Sequence, residues 1–178
     1  MPSIKYKTNT GSFETALAGL ADLEELASEC REIVDNATEG LAQTQRIQTM
    51  SETADALENI ETAVDIPDSL TDEVVSWTEA YPSRKGRSLS RSNRRNNAIA
   101  GAQQVIDACR AISDDVEEPE EPTREDGESE ADYDKRHDEW ADEQQEWQTR
   151  HDDAEELADT LEGIVNEVEG LEFPGMYG

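Results

Sequence analysis

Over the last third of the chain, apolar and aromatic side chains return at alternating steps of three and four. One series is Tyr133, Trp140, Trp147, Ala154, Leu161 and Val168, and a second is His137, Gln144, His151, Ala158 and Val165. A 3-4 spacing held for more than five heptads is the pattern of a coiled-coil-like helix. It predicts one unbroken helix from about Ala131 to Glu169, about 58 Å long at 1.5 Å per residue. The first half of this seam is polar and aromatic and the second half is aliphatic. The aliphatic half is expected to dock on the rest of the protein, and the aromatic half to project or to meet a partner.

Composition restricts what that helix can dock on. Only 34% of the 178 residues are hydrophobic and 5% aromatic, so the core must be narrow and built largely from Ala, Leu, Ile and Val. Disorder is the competing outcome for such a chain, but its apolar residues are periodic rather than scattered. Helix A is expected from about Phe13 to Asn36, with Ser12 as its N-cap, and a break follows between Asn36 and Gly40. Helix B is expected from about Leu41 to Val64, with Ile47, Met50, Ala54, Leu57, Glu61 and Val64 in one stripe. A short helix C should run from Asp68 or Ser69 to about Ala80, carrying Leu70, Val74 and Trp77 and stopped by Pro82. Helix D is expected from near Ser88 or Ser90 to Ser113. Residues 114–130 are acidic and contain Pro119, Pro122 and Gly127, the composition of a linker.

The two ends differ from the rest. In residues 1–12, Ile4, Tyr6, Thr8 and Thr10 alternate with polar residues, a period-two pattern that suggests an extended arm, packed on its own chain or added to a partner's sheet edge. Residues 171–178 place Leu171, Phe173, Met176 and Tyr177 around Pro174-Gly175, either packing back or docking on another subunit. The expected fold is therefore all-α: an antiparallel helical bundle (13–113), a linker (114–130), a long coiled-coil-like helix (131–170) and extended arms at both ends.

The formal net charge is −29, from 44 acidic and 15 basic residues. Such a balance repels nucleic acid and anionic membranes. Only Lys5, Lys7, Lys85 and Lys135 are lysines. Many carboxylates with few lysines suit a halophile's high-salt cytoplasm, or a virus infecting such an organism, and equally an acidic mesophilic protein. No run approaches the ~18–20 apolar residues of a membrane span and no apolar leader follows Met1, so the expected location is cytoplasmic, or a virion packaged from a cytoplasm. Cys30 and Cys109 each lie in an apolar stripe, as two buried thiols or one disulfide.

Candidate sites follow from the same residues. Arg84, Lys85, Arg87, Arg91, Arg94 and Arg95 form a basic patch with no acidic residue among them. Six cations could contact phosphates, but the field of the remaining chain favours a clamp on acidic protein surface. His137 and His151 are 14 residues apart, about 21 Å on one helix, too far to share a metal. Glu29-x-x-Glu32 is followed by Glu52-x-x-Asp55, and two such carboxylate faces could jointly hold Mg²⁺. This arrangement, with Glu155-Glu156-Leu157-Ala158-Asp159, resembles the all-α nucleotide pyrophosphohydrolases of the MazG type. That resemblance implies Mg²⁺-dependent nucleotide hydrolysis, although no basic and aromatic set for a nucleotide stands nearby.

No phosphate loop, nucleophile elbow or Cys-x-x-Cys pair is present. The expectation is thus a non-catalytic structural or assembly protein without cofactor or metal, binding other protein subunits in a virion or another large particle. Its partner-binding residues would be Tyr6, Trp140, Trp147, Phe173, Pro174, Met176 and Tyr177. The alternatives are the MazG-like enzyme and an acidic regulator or DNA mimic acting on a nucleic-acid-binding partner. No membrane contact is expected, and nucleic acid only through the basic segment.

Like charges crowded on a thin fold should repel one another. Thermal stability is therefore expected to rise as KCl increases from millimolar toward molar, where the Debye length shortens to ~3 Å. A melting temperature that stays flat or falls would show that self-repulsion is not limiting.

Overall fold

A computed structural model describes residues 8–81, 88–115 and 117–174, with the Asp115 side chain left out. The described chain is mostly helical and ends in a long helix, with one small sheet besides. Among the described residues, no helix is long and apolar enough to cross a membrane.

Strand β1 (Thr8–Ser12) leads directly into helix α1 (Phe13–Leu17). Ser12 sits in extended backbone and its hydroxyl accepts from the Thr15 amide, so it caps α1 as its position suggested. The helical course tightens into a 3-10 turn at Ala18–Leu20 and continues as α2 (Ala21–Asp35). Asn36 ends it, with its backbone and side-chain N–H groups both donating to the Glu32 carbonyl. A short helix α3 (Glu39–Ala42) follows, and Thr44 then caps α4 (Gln45–Asn59).

Helix α4 stops five residues before the expected end of helix B. From Ile60 to Ile66 the chain is irregular and alternates: Ile60 and Thr62 are buried, Val64 and Ile66 half-buried, and Glu61, Ala63 and Asp65 exposed. The apolar and β-branched side chains here recur every second residue, which suits extended backbone rather than helix. Thr62 adds a hydrogen bond to Glu24 at 2.9 Å, fixing the segment against α2.

Helix C is corrected outright. Asp68–Leu70 forms only a 3-10 turn, and Val74–Thr78 is a strand, β2, antiparallel to β1 with Thr10 opposite Ser76. Val75 points into the core while Val74 is 65% exposed, so the inward residue is not the one a helical spacing selects. Thr10 and Ser76 hydroxyls meet at 3.0 Å across the ladder. Residues 8–12 of the expected N-terminal arm are thus tied down by their own chain. Residues 1–7, and Tyr6 with them, lie outside the described residues. The all-α expectation is accordingly approximate: this two-stranded sheet belongs to the fold.

Helix α5 (Arg91–Asp115) begins at Ser90, whose hydroxyl accepts from the Asn93 amide. Asn97 pins the chain leaving β2, exchanging two hydrogen bonds with the Tyr81 backbone. Helix α6 (Glu130–Glu169) matches the expected long helix and is capped by Ser129.

The core gathers around α5 and the second half of α6. From α6 it takes Ala154, Leu157, Ala158, Leu161, Ile164, Val165 and Val168, all buried. From α5 come Ala98, Ala102, Val105, Ile106 and Cys109, and from α1, α2 and the turn between them Phe13, Ala16, Leu20, Leu23 and Leu26. Small residues set the closest approach. A Cβ at Gly101 would overlap the carbonyl oxygen of Ala16, and one at Gly19 would stand 3.1 Å from the Ala98 backbone. A second cluster, Cys30, Met50 and Ala54, joins α2 to α4.

Gly101 and Gly163 should therefore respond oppositely to alanine. Gly101→Ala forces the added methyl against the Ala16 backbone carbonyl and is expected to cost about 1–3 kcal/mol. Gly163 meets nothing within 4 Å, so Gly163→Ala should stabilise α6 by about 0.5–1 kcal/mol. Denaturant melts of both variants check the pair.

Candidate functional site

The basic segment is the first candidate. Arg91, Arg94 and Arg95 occupy the first turns of α5, at spacings that place them on one side of the helix. Arg91 donates to Glu29 at 3.0 Å, and Arg94 donates to Glu29 at 2.5 Å and to Glu25 at 2.6 Å. Arg95 donates to the Leu171 carbonyl beyond the end of α6 and stands 5.8 Å from the Phe173 ring centre. All three described cations are engaged within the chain, two by carboxylates of α2 and one by the segment that follows α6. Arg84, Lys85 and Arg87 lie outside the described residues.

The same contacts bear on the paired carboxylates. Glu29 is held by two arginines, and Asp55 by Arg31 at 2.6 Å, which also forks onto Glu58. Of the third stretch, Leu157 and Ala158 are core residues and Asp159 is bound by Arg110 at 2.6 Å. Among the described residues, no group of three or more His, Cys, Asp or Glu is placed to hold a metal ion. Cys30 and Cys109 are free and buried, in different clusters. Burial pushes both thiols up, Cys109 to about 12 with the Glu73 charge adding to the effect.

Residues 171–174, the start of the C-terminal tail, lie on their own chain. Thr53 donates to the Glu172 carbonyl at 2.7 Å, and Leu171 and Phe173 pack against the core. Pro174 lines an open cavity of about 680 Å³ with Arg46 and Arg95. Met176 and Tyr177 are outside the described residues.

The remaining candidate is the first half of α6. Its seam residues Tyr133, His137, Trp140, Gln144, Trp147 and His151 are all half-buried, whereas every seam residue from Ala154 onward is buried. What covers the first half is the segment 117–128, the stretch whose composition reads as a linker. Trp140 donates its indole N–H to the Pro119 carbonyl at 3.0 Å, and Gln144 donates to Glu118 at 2.7 Å. Arg136 forks onto the Glu128 carboxylate and also reaches the Thr123 carbonyl. His137 lies between Tyr133 and Trp140 with the rings tilted, centres 6.0 and 5.2 Å away, and Glu121 is 3.7 Å from its Nε2. The segment is therefore a strap laid along the helix. Acidic and proline-rich composition hides this: two of the contacts are to backbone carbonyls, which every residue type carries, and the others are to glutamates that composition alone does not place.

At the base of this arm, where α5, the strap and α6 converge, Ile112, Pro119 and Trp147 line a cavity of about 320 Å³. Trp147 also contacts His151, ring centres 5.1 Å apart. Comparison with protein-family models, with curated proteins and with solved structures finds no match.

The strap should be acid-sensitive. Arg136, and then the Glu125 backbone N–H, hold the Glu128 carboxyl below its ordinary range. A carboxyl with a depressed folded-state pKa contributes stability that is complete above about pH 4.3, its unfolded range, and lost as pH falls through the folded value. Acidification is thus expected to release the strap and speed hydrogen exchange of the Trp140 indole N–H. Glu128→Gln should produce the same change at neutral pH, as read by NMR.

Proposed function

We propose that this chain is a non-catalytic structural or assembly protein that binds other protein subunits, as a component of a virion or another large particle. The observation that carries this reading is the division of α6. Its residues from Ala154 onward supply seven core side chains, while the residues before it supply none. Those 24 residues extend roughly 36 Å at 1.5 Å per residue, covered by a strap that has no core of its own and held, near their C-terminal end, by Glu73 on Arg150 and Ser69 on Asp153.

An arm of this kind contributes little burial to its own domain. Yet it carries Tyr133, Trp140 and Trp147, and aromatic side chains are the ones that dominate protein interfaces. We read the antiparallel pairing of α2 with α4, of α2 with α5 and of α5 with α6 as a helical bundle that anchors the arm. The exposed acidic surface keeps the subunit soluble before assembly, in a cytoplasm or in a particle packaged from one.

The MazG-like reading requires its carboxylates to be available to Mg²⁺, and Glu29 and Asp55 are instead occupied by arginines. Sedimentation of the full-length chain, with parallel assays of nucleoside triphosphate hydrolysis in Mg²⁺, separates the two. Concentration-dependent association is expected, weakened by Trp140→Ala and Trp147→Ala while helical content by circular dichroism holds. A monomer that hydrolyses nucleotide, and loses that activity on Glu29→Gln or Asp55→Asn, would overturn the proposal.

A further inference from the structure

The strap holds the first half of α6 without burying any side chain of its own. From Glu117 to Glu128 only Pro119, Pro122 and Glu128 are half-buried, and the rest are exposed. Its hold is a few polar contacts, from Trp140, Arg136 and Gln144 to two backbone carbonyls and to Glu118 and Glu128. Such contacts add little net stability, because water satisfies the same groups when the strap leaves. The helix face beneath differs in kind. Its 3-4 repeat continues, unbroken, the seam that is buried from Ala154 onward.

That face matches itself. With two arms laid antiparallel about Asp142, Tyr133 of one copy falls level with His151 of the other, His137 with Trp147, and Trp140 with Gln144. Every layer then joins an aromatic ring to an imidazole or an amide. Within one chain the same rings already meet, His137 with Trp140 at 5.2 Å and His151 with Trp147 at 5.1 Å between centres. Charge does not forbid the exchange. The strap, residues 117–128, carries seven acidic residues and Arg124, a net −6, and residues 130–153 carry ten acidic and three basic, a net −7 with neutral histidines. A second arm therefore brings nearly the charge of the strap it displaces, and it brings Tyr133, Trp140 and Trp147 besides. Burying those half-buried rings supplies the apolar contact that the strap does not. We propose that the strap is an autoinhibitory cover, which occupies the aromatic seam of the free subunit and yields it to the arm of a second copy in an antiparallel pair. The proposal rests on the assembly reading and names its partner and its control. Joined at both ends to helices α5 and α6, the strap competes at the effective concentration of an attached segment, so pairing sets in only above a threshold of subunit concentration.

The test compares two strap variants of the full-length chain by sedimentation. Glu118→Ala with Glu128→Ala removes two side-chain acceptors of the strap and leaves the seam and the core untouched. Glu117→Ala with Glu120→Ala makes the same charge change at positions that, among the described residues, form no hydrogen bond or ion pair with α6. The first variant is expected to tighten self-association by about tenfold or more, the factor for a seam that the strap leaves open about a tenth of the time or less. The second should stay near the wild-type value. Register is read with a short thiol crosslinker, since Cys30 and Cys109 are buried. Ala141, exposed beside the seam, comes level with its own counterpart, so Ala141→Cys should crosslink to itself. Gln148→Cys, about 18 Å along the axis from its counterpart, should not, but should crosslink to Asp134→Cys.

If the wild type associates and the first variant associates no more tightly, the strap is no competitor. The inference then falls and the assembly reading stands. Equal tightening in both variants would assign the effect to charge alone and sink the inference as surely. Self-crosslinking through Gln148→Cys would overturn the antiparallel pair. A chain that stays monomeric in the wild type and in both variants would take down the inference and the arm's role in assembly together.

Discussion

In a chain with 44 acidic side chains and a core of mostly small and aliphatic residues, a set of arginines sits where segments must be held together. Arg31 joins α2 to α4, Arg91 and Arg94 join α5 to α2, and Arg110 joins α5 to α6. Arg150 ties α6 to Glu73, just ahead of β2, and Arg95 ties α5 to the segment following α6. One such exposed pair contributes only about 0–1 kcal/mol. Without them, however, facing helices would present carboxylate to carboxylate. The bridges turn a repulsive contact into a neutral or attractive one, and the narrow core can then close.

That closure depends in turn on small residues. Ala16 and Gly19 meet Ala98 and Gly101 with almost no space between backbones. An Ala-built contact buries little area per residue, so the stabilisation must come from close dispersion contact along the whole crossing. It also brings α5 near enough to α2 for Arg91 and Arg94 to span the gap. Packing and electrostatics here are one arrangement: the small side chains set the distance, and the arginines fit it.

How much of this was legible in the sequence follows from how each element is stabilised. Helix α6 was legible nearly to the residue, because its 3-4 repeat is unbroken and Gly170 closes it; the Ser129 cap emerged only in the structure. Ser12 was legible as a cap, and Ser90 only as one of two candidate starts of α5. Strand β2 was not, since Leu70, Val74 and Trp77 mimic a helical spacing and only pairing with β1 selects Val75 as the inward residue. Ile60 to Ile66 did carry its signal, an alternation of apolar and β-branched residues, but the stripe of α4 runs into it without a proline or glycine to mark the change. The arm was half legible. Its aromatic seam was visible, while the strap on it was not, because Trp140 binds a backbone carbonyl and composition does not say which glutamates Arg136 and Gln144 would meet. Of the basic patch, the sequence showed the cations and the acidic surroundings, yet not which carboxylates they would meet.

The scarcity of lysine takes on a different meaning in this light. A high-salt cytoplasm would account for it through screening, but the geometry offers a second reason. A bridge that must engage two carboxylates at once, as Arg31 does with Asp55 and Glu58 and Arg110 with Asp159 and Glu162, needs a flat fork with several N–H donors. A lysine ammonium is a hydrated point charge and holds such a pair less directionally. The described lysine, Lys135, stands on the exposed side of α6 in an i,i+4 pair with Glu139 at 3.4 Å, joining nothing to anything else. Where a cation has to define distance and orientation between segments, the chain uses arginine. Hydrogen-bonded pairs of that kind act at contact range, where screening is weakest. The acidic surface sets how the molecule meets its surroundings, and the arginines set how its segments meet each other.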